Sequence, residues 1–223
     1  MASRINVAVD GPSGVGKSSV CDLIAERFDM THLDTGAMYR AIGYTLDSMH
    51  VAPEEGEKLD QALEAIELKV NGDQVYVNGK NVSSLIRTPE VSRLASAYAT
   101  LPSVRKKLVA EQQQIAKEGG YILDGRDICS IVLPDAQVRV FLDASSEARA
   151  MRRYLQDQEK GLPVVYEEVL KQIEERDFQD RHRAVSPLLA ADGAIILDSS
   201  NLNLEQTADA LGALVEEALL KQN

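Results

Sequence analysis

The residues best suited to do chemistry lie close to the start of the chain, between positions 11 and 19. A glycine, four free positions and then Gly-Lys-Ser form the pattern of a phosphate-binding loop. Its glycines let backbone N–H groups turn inward around an anion, and the start of a following helix adds partial positive charge. In this pattern the lysine reaches the outer phosphates of a nucleotide and the serine hydroxyl holds Mg²⁺. We therefore predict an ATP site made of Gly11, Pro12, Ser13, Gly14, Val15, Gly16, Lys17, Ser18 and Ser19, with Lys17 catalytic and Ser18 binding the metal.

The neighbouring residues supply the elements that such a loop requires. Residues 5–9 form a short β-branched run, which is typical of a buried parallel strand. Val20, Ile24 and Phe28 then fall on one apolar face of a predicted helix. A dinucleotide-binding fingerprint fits worse, because Ser19 stands where its last glycine should be. An ordinary glycine-rich turn is also the weaker interpretation, because strand, loop and helix follow in the required order.

A second group of polar residues follows another predicted core strand, at residues 121–123. Asp124 comes directly after this strand, and Arg126 and Asp127 lie beside it. In open parallel sheets, ligands bind at the carboxyl ends of the strands. An acid at that place suits a partner of the phosphate loop that acts on Mg²⁺ directly or through water.

Arginines form the third group, in a long helical stretch that is broken at residues 161–163. Arg176, Asp180 and Arg183 fall at i, i+4 and i+7 and share one predicted helix face. Asp177 and Arg181 fall on a neighbouring face, where an ordinary surface ion pair would fit. The chain has 24 Lys and Arg against 35 Asp and Glu, so a cluster of cations beside a phosphate loop indicates bound anions. The clustered arginines are Arg149, Arg152, Arg153, Arg176, Arg181 and Arg183.

These parts suit phosphoryl transfer, which needs two substrates held in line, neutralised charge and the exclusion of water. No strong general base is present, since His32, His50 and His182 have neither metal-ligand nor triad spacing, and we assign them no role. An alcohol acceptor benefits from such a base, whereas a phosphate monoester is mostly ionised at neutral pH and needs none. The sequence therefore favours a phosphorylated acceptor.

Charge and hydropathy argue against two classes of partner. The formal net charge of −11 repels a nucleic-acid backbone, and no broad basic tract offsets it. No apolar run approaches the roughly 18 residues of a membrane span, and the N-terminal residues lack the apolar region of a signal peptide. Cys21 and Cys129 fit structural thiols in a reducing compartment. We expect a cytoplasmic monomer that binds small nucleotides, and neither nucleic acid nor membrane.

The remaining patterns predict one α/β domain over residues 1–223, with a five-stranded parallel sheet in a three-layer P-loop fold. Short alternating runs separated by Asn71-Gly72 and Asn78-Gly79 predict a small inserted antiparallel subdomain within residues 60–95. Residues 51–62 are acidic and punctuated by Pro and Gly, and are interpreted as a boundary. The five core strands are predicted at residues 5–9, 30–33, 121–123, 138–142 and 194–197, and further helices near Gly36, from Pro89, at 102–117 and at 204–219.

Four motifs in this order resemble the bacterial-type cytidylate kinases, a family of nucleoside monophosphate kinases, over nearly the whole chain. The inserted meander also matches the long bacterial form. The resemblance implies ATP-dependent phosphorylation of CMP and dCMP to CDP and dCDP by direct in-line transfer, with Mg²⁺, in pyrimidine nucleotide metabolism. The motifs are Asp10 to Ser18, Asp34-Thr35-Gly36-Ala37-Met38-Tyr39-Arg40, Asp124-Gly125-Arg126-Asp127, and Glu175-Arg176-Asp177 through Asp180-Arg181-His182-Arg183 with Ser186-Pro187-Leu188.

The resemblance also implies roles for residues at matching positions. Arg40 and Arg126 match arginines that hold the acceptor's phosphate, while Ser96, Arg105 and Asp127 match positions that read cytosine or support its pocket. The implied CMP-binding set is Thr35, Arg40, Ser96, Arg105, Arg126, Asp127, Arg176, Asp180 and Arg183, with residues 60–95 as the acceptor-binding subdomain. The implied catalytic set is Lys17, Arg126, Arg149, Arg152 and Arg153, the last three from an arginine-rich helical segment over residues 145–183 that includes a lid.

Two other functions remain open at this point. A kinase for UMP or AMP would share the motifs, but an acceptor such as Asp127 suits the exocyclic amino group of cytosine, whereas uracil presents a carbonyl there. A nucleotide-gated binding protein would hydrolyse ATP slowly without an acceptor and would carry a surface for a protein partner.

Overall fold

The structure of the protein is a computed structural model that describes residues 4–222. Its main sheet contains five strands, β1 (Val7–Asp10), β2 (Thr31–Asp34), β6 (Tyr121–Gly125), β7 (Val138–Asp143) and β8 (Ile195–Asp198), and its second sheet contains β3 (Leu68–Asn71), β4 (Gln74–Val77) and β5 (Lys80–Asn81). The helices are α1 (Lys17–Arg27), α2 (Thr35–Ser48), α3 (Glu57–Ala65), α4 (Pro89–Tyr98), α5 (Pro102–Ala116), α6 (Ser146–Glu159), α7 (Tyr166–His182) and α8 (Leu204–Gln222), with one π-helical turn at Ile128–Val132.

The main sheet is parallel throughout, and its strand order is β2-β6-β1-β7-β8. Successive side chains of a strand point to opposite faces of the sheet. Both faces of this parallel sheet are apolar, and helices cover each of them. Val7 and Val9 share a core with Ile24 of α1 and Leu211 of α8, whereas Ala8 belongs to the core on the α2 side. The three-layer P-loop fold with five parallel strands is therefore confirmed.

The register of the sheet brings its polar strand ends together. Asp10 at the end of β1 lies opposite Gly125, and Asp34 at the end of β2 lies opposite Asp124. All three carboxylates therefore stand at one edge of the sheet, beside the loop that follows β1.

The second sheet is the predicted antiparallel meander. Two-residue loops join β3 to β4 and β4 to β5. Asn78 and Gly79 both have positive φ, as a tight hairpin turn requires. Val75 and Val77 bury one face of this sheet in the core on the α2 side.

Residues 51–62 are more regular than the sequence predicts, because α3 begins inside this segment at Glu57. Leu59, Ala62 and Leu63 form its buried stripe. Glu57 and Asp60 lie in its first turn, where negative charge favours the helix dipole. The acidic residues that led to the prediction of a boundary therefore stabilise the start of a helix.

The arginine-rich stretch forms a hairpin of α6 and α7, interrupted where the sequence predicts, with Gly161 at positive φ. Arg183 follows the last residue of α7 and keeps an extended backbone. Within residues 4–222, no helix combines the length and the apolar character that crossing a membrane requires.

Candidate active site

The phosphate loop connects β1 to α1. Its glycines are required at their positions for different structural reasons. Gly11 has φ of 155°, and a Cβ there would lie 2.1 Å from the carbonyl oxygen of Leu142 on β7. Gly14 and Gly16 adopt left-handed backbone angles, with Gly16 capping α1. The loop therefore requires glycine partly for its turn and partly because it lies against the neighbouring strand.

Asp10 anchors the next loop to the end of β1. Its carboxylate accepts hydrogen bonds of 2.8 Å from the backbone N–H groups of Ile128 and Cys129, in the π-helical turn. Burial raises the pKa of Asp10, although these two hydrogen bonds oppose the shift. The contact fixes the loop that carries Arg126 and Asp127 relative to the phosphate loop.

Lys17 is buried at the centre of the site. Its ammonium group donates to the carbonyl oxygens of Gly11 and Pro12 at 2.8 and 2.9 Å. Burial, together with the charge of Arg126, lowers the pKa of Lys17 to about 7. A negatively charged ligand would favour the charged form of this group.

Ser18 and Asp124 lie at the start of α1 and the end of β6. The Ser18 hydroxyl donates to Asp124 Oδ2 at 3.1 Å, and Thr35 donates to the backbone oxygen of Asp124 at 2.7 Å. Burial opposes the charge of Asp124, but hydrogen bonding from His32 and the charge of Lys17 outweigh it and lower the pKa of the carboxyl group. Asp124 is therefore an ionised oxygen donor beside the loop.

His32, to which the sequence analysis assigns no role, contacts this carboxylate. Its Nε2 lies 3.0 Å from Asp124 Oδ1, and its Nδ1 lies 2.6 Å from Asp22 Oδ1. Burial opposes the positive charge, but the hydrogen bond with Asp124 contributes to raising the pKa of His32 to about 9. Its position on β2, two residues before Asp34, was the signal that could have found it, because that strand ends at the site.

A cavity of about 240 Å³ extends from the phosphate loop to α4 and α5. All nine residues that the resemblance implies for CMP binding line it. Its walls come from six separate segments of the chain, which only the fold brings together. The lining residues are Ser13, Lys17, Ser18, Asp34, Thr35, Gly36, Tyr39, Arg40, Ser92, Ala95, Ser96, Ala99, Arg105, Asp124, Gly125, Arg126, Asp127, Arg176, Asp180 and Arg183.

The end of the cavity near α4 and α5 holds a buried ion pair. Arg105 Nη2 donates to Asp127 Oδ2, and the Arg105 guanidinium lies 5.8 Å from the ring centre of Tyr39. The buried Tyr39 hydroxyl has no partner among the described residues, and burial raises its pKa to about 12. Ser96 donates to the backbone oxygen of Ser92 at 3.0 Å on the same wall. This end of the cavity therefore offers the Asp127 carboxylate and the unpaired hydroxyl of Tyr39.

Four further arginines, Arg40, Arg126, Arg176 and Arg183, line the cavity. Arg126 donates to Asp180 Oδ2 at 2.9 Å, and Arg40 donates to Asp34 Oδ2 at 2.8 Å. Burial and neighbouring arginines lower the pKa of Arg176, which faces Arg126 and Arg40. Buried nitrogens with no partner among the described residues include Arg40 Nε, Arg176 Nε and Arg183 Nη2. So many crowded cations with spare donors are suited to an anion with several oxygens.

The three α6 arginines lie outside this cavity. Arg149 donates to the backbone oxygens of Ala144 and Ser13, at 2.9 and 3.1 Å, and to Asp177. The structure therefore gives Asp177 a partner in Arg149 and not in Arg181. Its neighbours on α6 differ from one another: Arg152 binds the backbone oxygens of Val15, Ser199 and Leu202, and Arg153 pairs with Asp157 while remaining half exposed.

Comparison with known proteins gives this site a family. The family model described as cytidylate kinase matches residues 7–217. The chain belongs to the cytidylate kinase family. Cytidylate kinase of Fervidobacterium nodosum is 44% identical over 211 residues, which cover 95% of this chain and 96% of that protein. Cytidylate kinase of Pasteurella multocida is 43% identical over 228 residues, which cover 99% and 100%.

A solved structure supports the fold alone. An uncharacterized protein from Eubacterium ventriosum superposes over 96% of this chain and 99% of its own, with a TM-score of 0.53 and 10% sequence identity. Membership in the cytidylate kinase family confirms the predicted resemblance and the predicted class of enzyme, a phosphotransferase.

Proposed function

We propose that the protein transfers the terminal phosphate of ATP to CMP, and to dCMP as a second acceptor, giving CDP or dCDP by direct in-line transfer. The main support is one continuous cavity. It is lined at one end by Lys17 and Ser18 of the phosphate loop and at the other by the Arg105–Asp127 pair. A nucleoside monophosphate placed with its base at the second end points its phosphate at the first.

In the proposed reaction, the protein holds the two substrates in line and neutralises the negative charge of their phosphates. The backbone N–H groups of the loop and the Lys17 ammonium would bind the donor's phosphates. Arg40 and Arg126 would hold the acceptor phosphate. Arg176, whose Nε has no partner among the described residues, would lie with Asp180 near the ribose of the acceptor. The acceptor oxygen is already ionised at neutral pH, so no side chain needs to take its proton.

The residues at the start of α1 fit Mg²⁺. Ser18 and Asp124 offer hard oxygen donors that lie 3.1 Å apart, and the lowered pKa keeps Asp124 ionised. Bound there, Mg²⁺ would neutralise charge on the phosphates of ATP. Ser18 is the proposed ligand, with Asp124 acting directly or through water.

The proposed preference for cytosine rests on Asp127. Arg105 donates to one of its oxygens, which fixes the position of the side chain. A carboxylate of this kind accepts hydrogen bonds. The exocyclic amino group of cytosine can donate to such a group. Uracil has a carbonyl oxygen at the same position, and its partial negative charge would face the negative carboxylate. UMP would therefore bind more weakly.

We further propose that one domain of residues 1–223 carries an acceptor-binding part within residues 60–95 and a lid within residues 145–183. In this scheme Arg149, Arg152 and Arg153 act on the transferred phosphate once the lid has closed. The net charge of −11 supports small nucleotides as ligands in preference to nucleic acid. Two buried free cysteines support a reducing cytoplasmic compartment, and a monomer suffices for the site.

An assay of ADP release across CMP, dCMP, UMP and AMP tests the proposal. We expect rapid release with CMP and dCMP, slower release with UMP and AMP, and almost none without an acceptor. Equal rates with UMP would remove the cytosine preference. Steady ATP hydrolysis without any acceptor would favour a nucleotide-gated binding protein instead.

A further inference from the structure

Among residues 4–222, His32 is the one histidine that contacts the site, yet phosphoryl transfer as proposed does not use it. Its side chain is 10% exposed on β2 and does not line the acceptor cavity. One ring nitrogen faces Asp22 on α1, and the other faces Asp124 on β6. The ring therefore bridges two carboxylates that belong to different elements.

This geometry favours a doubly protonated ring. A neutral imidazole has one N–H donor, so its other nitrogen would set a lone pair against a carboxylate. An imidazolium ion donates from both nitrogens and satisfies both carboxylates. His32 is then a donor of fixed direction toward Asp124.

The consequence falls on Asp124. Its Oδ1 is held by His32, its Oδ2 faces the Ser18 hydroxyl, and Thr35 holds its backbone oxygen. A carboxylate without the first contact could rotate and lower the occupancy of the second. The bond to His32 therefore fixes the orientation of the carboxylate plane, so that the other oxygen faces the Ser18 hydroxyl.

We propose that His32 is a positioning residue, which holds the Asp124 carboxylate toward Ser18, and that Asp22 in turn orients the ring. The inference rests on the proposed function, because Ser18 and Asp124 are the groups proposed to act on the Mg²⁺ that accompanies ATP. Groups that orient a metal-binding carboxylate typically change metal affinity by about 10- to 100-fold when removed.

A matched pair of variants tests this role. In His32→Gln the side-chain amide stands near the position of Nε2 and can still donate to Asp124. In His32→Asn the amide stands near the position of Nδ1, closer to Asp22. The exposed His50, which has a positive φ that asparagine tolerates, provides the control His50→Asn.

Calorimetry of ATP binding to the protein, with and without Mg²⁺ and in the absence of CMP, is the main readout. We expect His32→Asn to weaken Mg²⁺-dependent ATP binding by about tenfold or more. We expect His32→Gln and His50→Asn to stay within about threefold of the unmodified protein. Binding of CMP and of ATP without Mg²⁺ should change little in all three, which a general loss of structure would not produce.

Asp22→Asn gives a second test that leaves the buried ring in place, since the Asp22 side chain is 59% exposed. It should weaken Mg²⁺-dependent binding in the same direction, by less than His32→Asn. Unchanged Mg²⁺-dependent binding in both His32→Asn and Asp22→Asn, in a protein that phosphorylates CMP, would overturn the inference alone. Failure of the unmodified protein to phosphorylate any nucleoside monophosphate would instead overturn the proposed function.

Discussion

Arg149 and Asp177 form a two-pronged ion pair that joins α6 to α7 directly beside the phosphate loop. Arg149 Nη1 donates to Asp177 Oδ1 at 2.9 Å, and Nη2 donates to Oδ2. The same guanidinium also donates to the backbone oxygen of Ser13. The pair therefore couples the helical hairpin to the loop, and this coupling gives the first prediction.

Asp177→Asn should destabilise the fold, because it leaves the 2% exposed Arg149 guanidinium without its counter-charge. Removing one partner of a buried pair typically costs about 3–5 kcal/mol. Arg181→Gln is the matched control and should stay within about 0.5 kcal/mol, since Arg181 is exposed. Urea unfolding measures the stability of both variants. Equal losses of stability would mean that the ion pair between Arg149 and Asp177 does not stabilise the fold.

Lys17→Ala should lower the rate of CMP phosphorylation by about 100-fold or more, because it removes the positive charge that Lys17 places against the phosphates of the donor. The melting temperature should not fall in proportion, since burial already disfavours the Lys17 charge in the folded protein. Steady-state kinetics and calorimetry of the same preparation provide the two measurements. A loss of activity that merely follows a loss of folded protein would count against a catalytic role.

Arg176→Ala should weaken CMP binding far more than ATP binding. Each charge-assisted hydrogen bond to the acceptor contributes about 1.5–3 kcal/mol, so the KM for CMP should rise by roughly tenfold to 100-fold. Lys171→Ala, on the same helix but 77% exposed, is the control and should leave both KM values unchanged. A change confined to the KM for ATP would show that Arg176 serves the donor site.

Gly11→Ala should destabilise the protein by several kcal/mol, because its Cβ would lie 2.1 Å from the backbone oxygen of Leu142, which cannot move freely. Gly72→Ala is the comparison, since its positive φ costs only about 1 kcal/mol and no atom lies within 4 Å of the added carbon. Thermal unfolding of the two variants should therefore differ clearly. Similar melting temperatures would mean that the loop can shift away from β7.

The lowered pKa of Asp180 should make the free energy of unfolding depend on pH. Burial opposes its charge, but Arg126 outweighs this and lowers the pKa of Asp180 below its ordinary value of 3.8. The unfolded chain therefore binds the proton first as the pH falls. The contribution of Asp180 to the free energy of unfolding is complete well above pH 3.8 and is lost as the pH falls through and below that value.

Asp180→Asn should accordingly be less stable than the unmodified protein at pH 6 and should lose less stability on acidification. Chemical unfolding between about pH 3 and pH 6 makes the comparison. Parallel curves for the two proteins would show that Asp180 has the same pKa in the folded and unfolded states.

Most of the fold follows from short stretches of sequence. The β-branched runs predict the core strands, and the Asn-Gly pairs predict the meander, because both depend on the backbone preferences of adjacent residues. Helix α3 was missed, since its acidic first turn also has the composition of a loop. Its buried stripe of Leu59, Ala62 and Leu63 becomes informative only beside the core it covers.

The sequence by itself determined the phosphate loop, the parallel sheet and the residues available for an acceptor site, because spacing along the chain encodes local geometry. Tertiary structure alone decided which charges meet. His32 lies 92 residues from Asp124 in sequence, and Asp177 has Arg149 as its partner although Arg181 is one helical turn away. Such pairs depend on how helices and strands pack against one another, and no local pattern of residues specifies that packing.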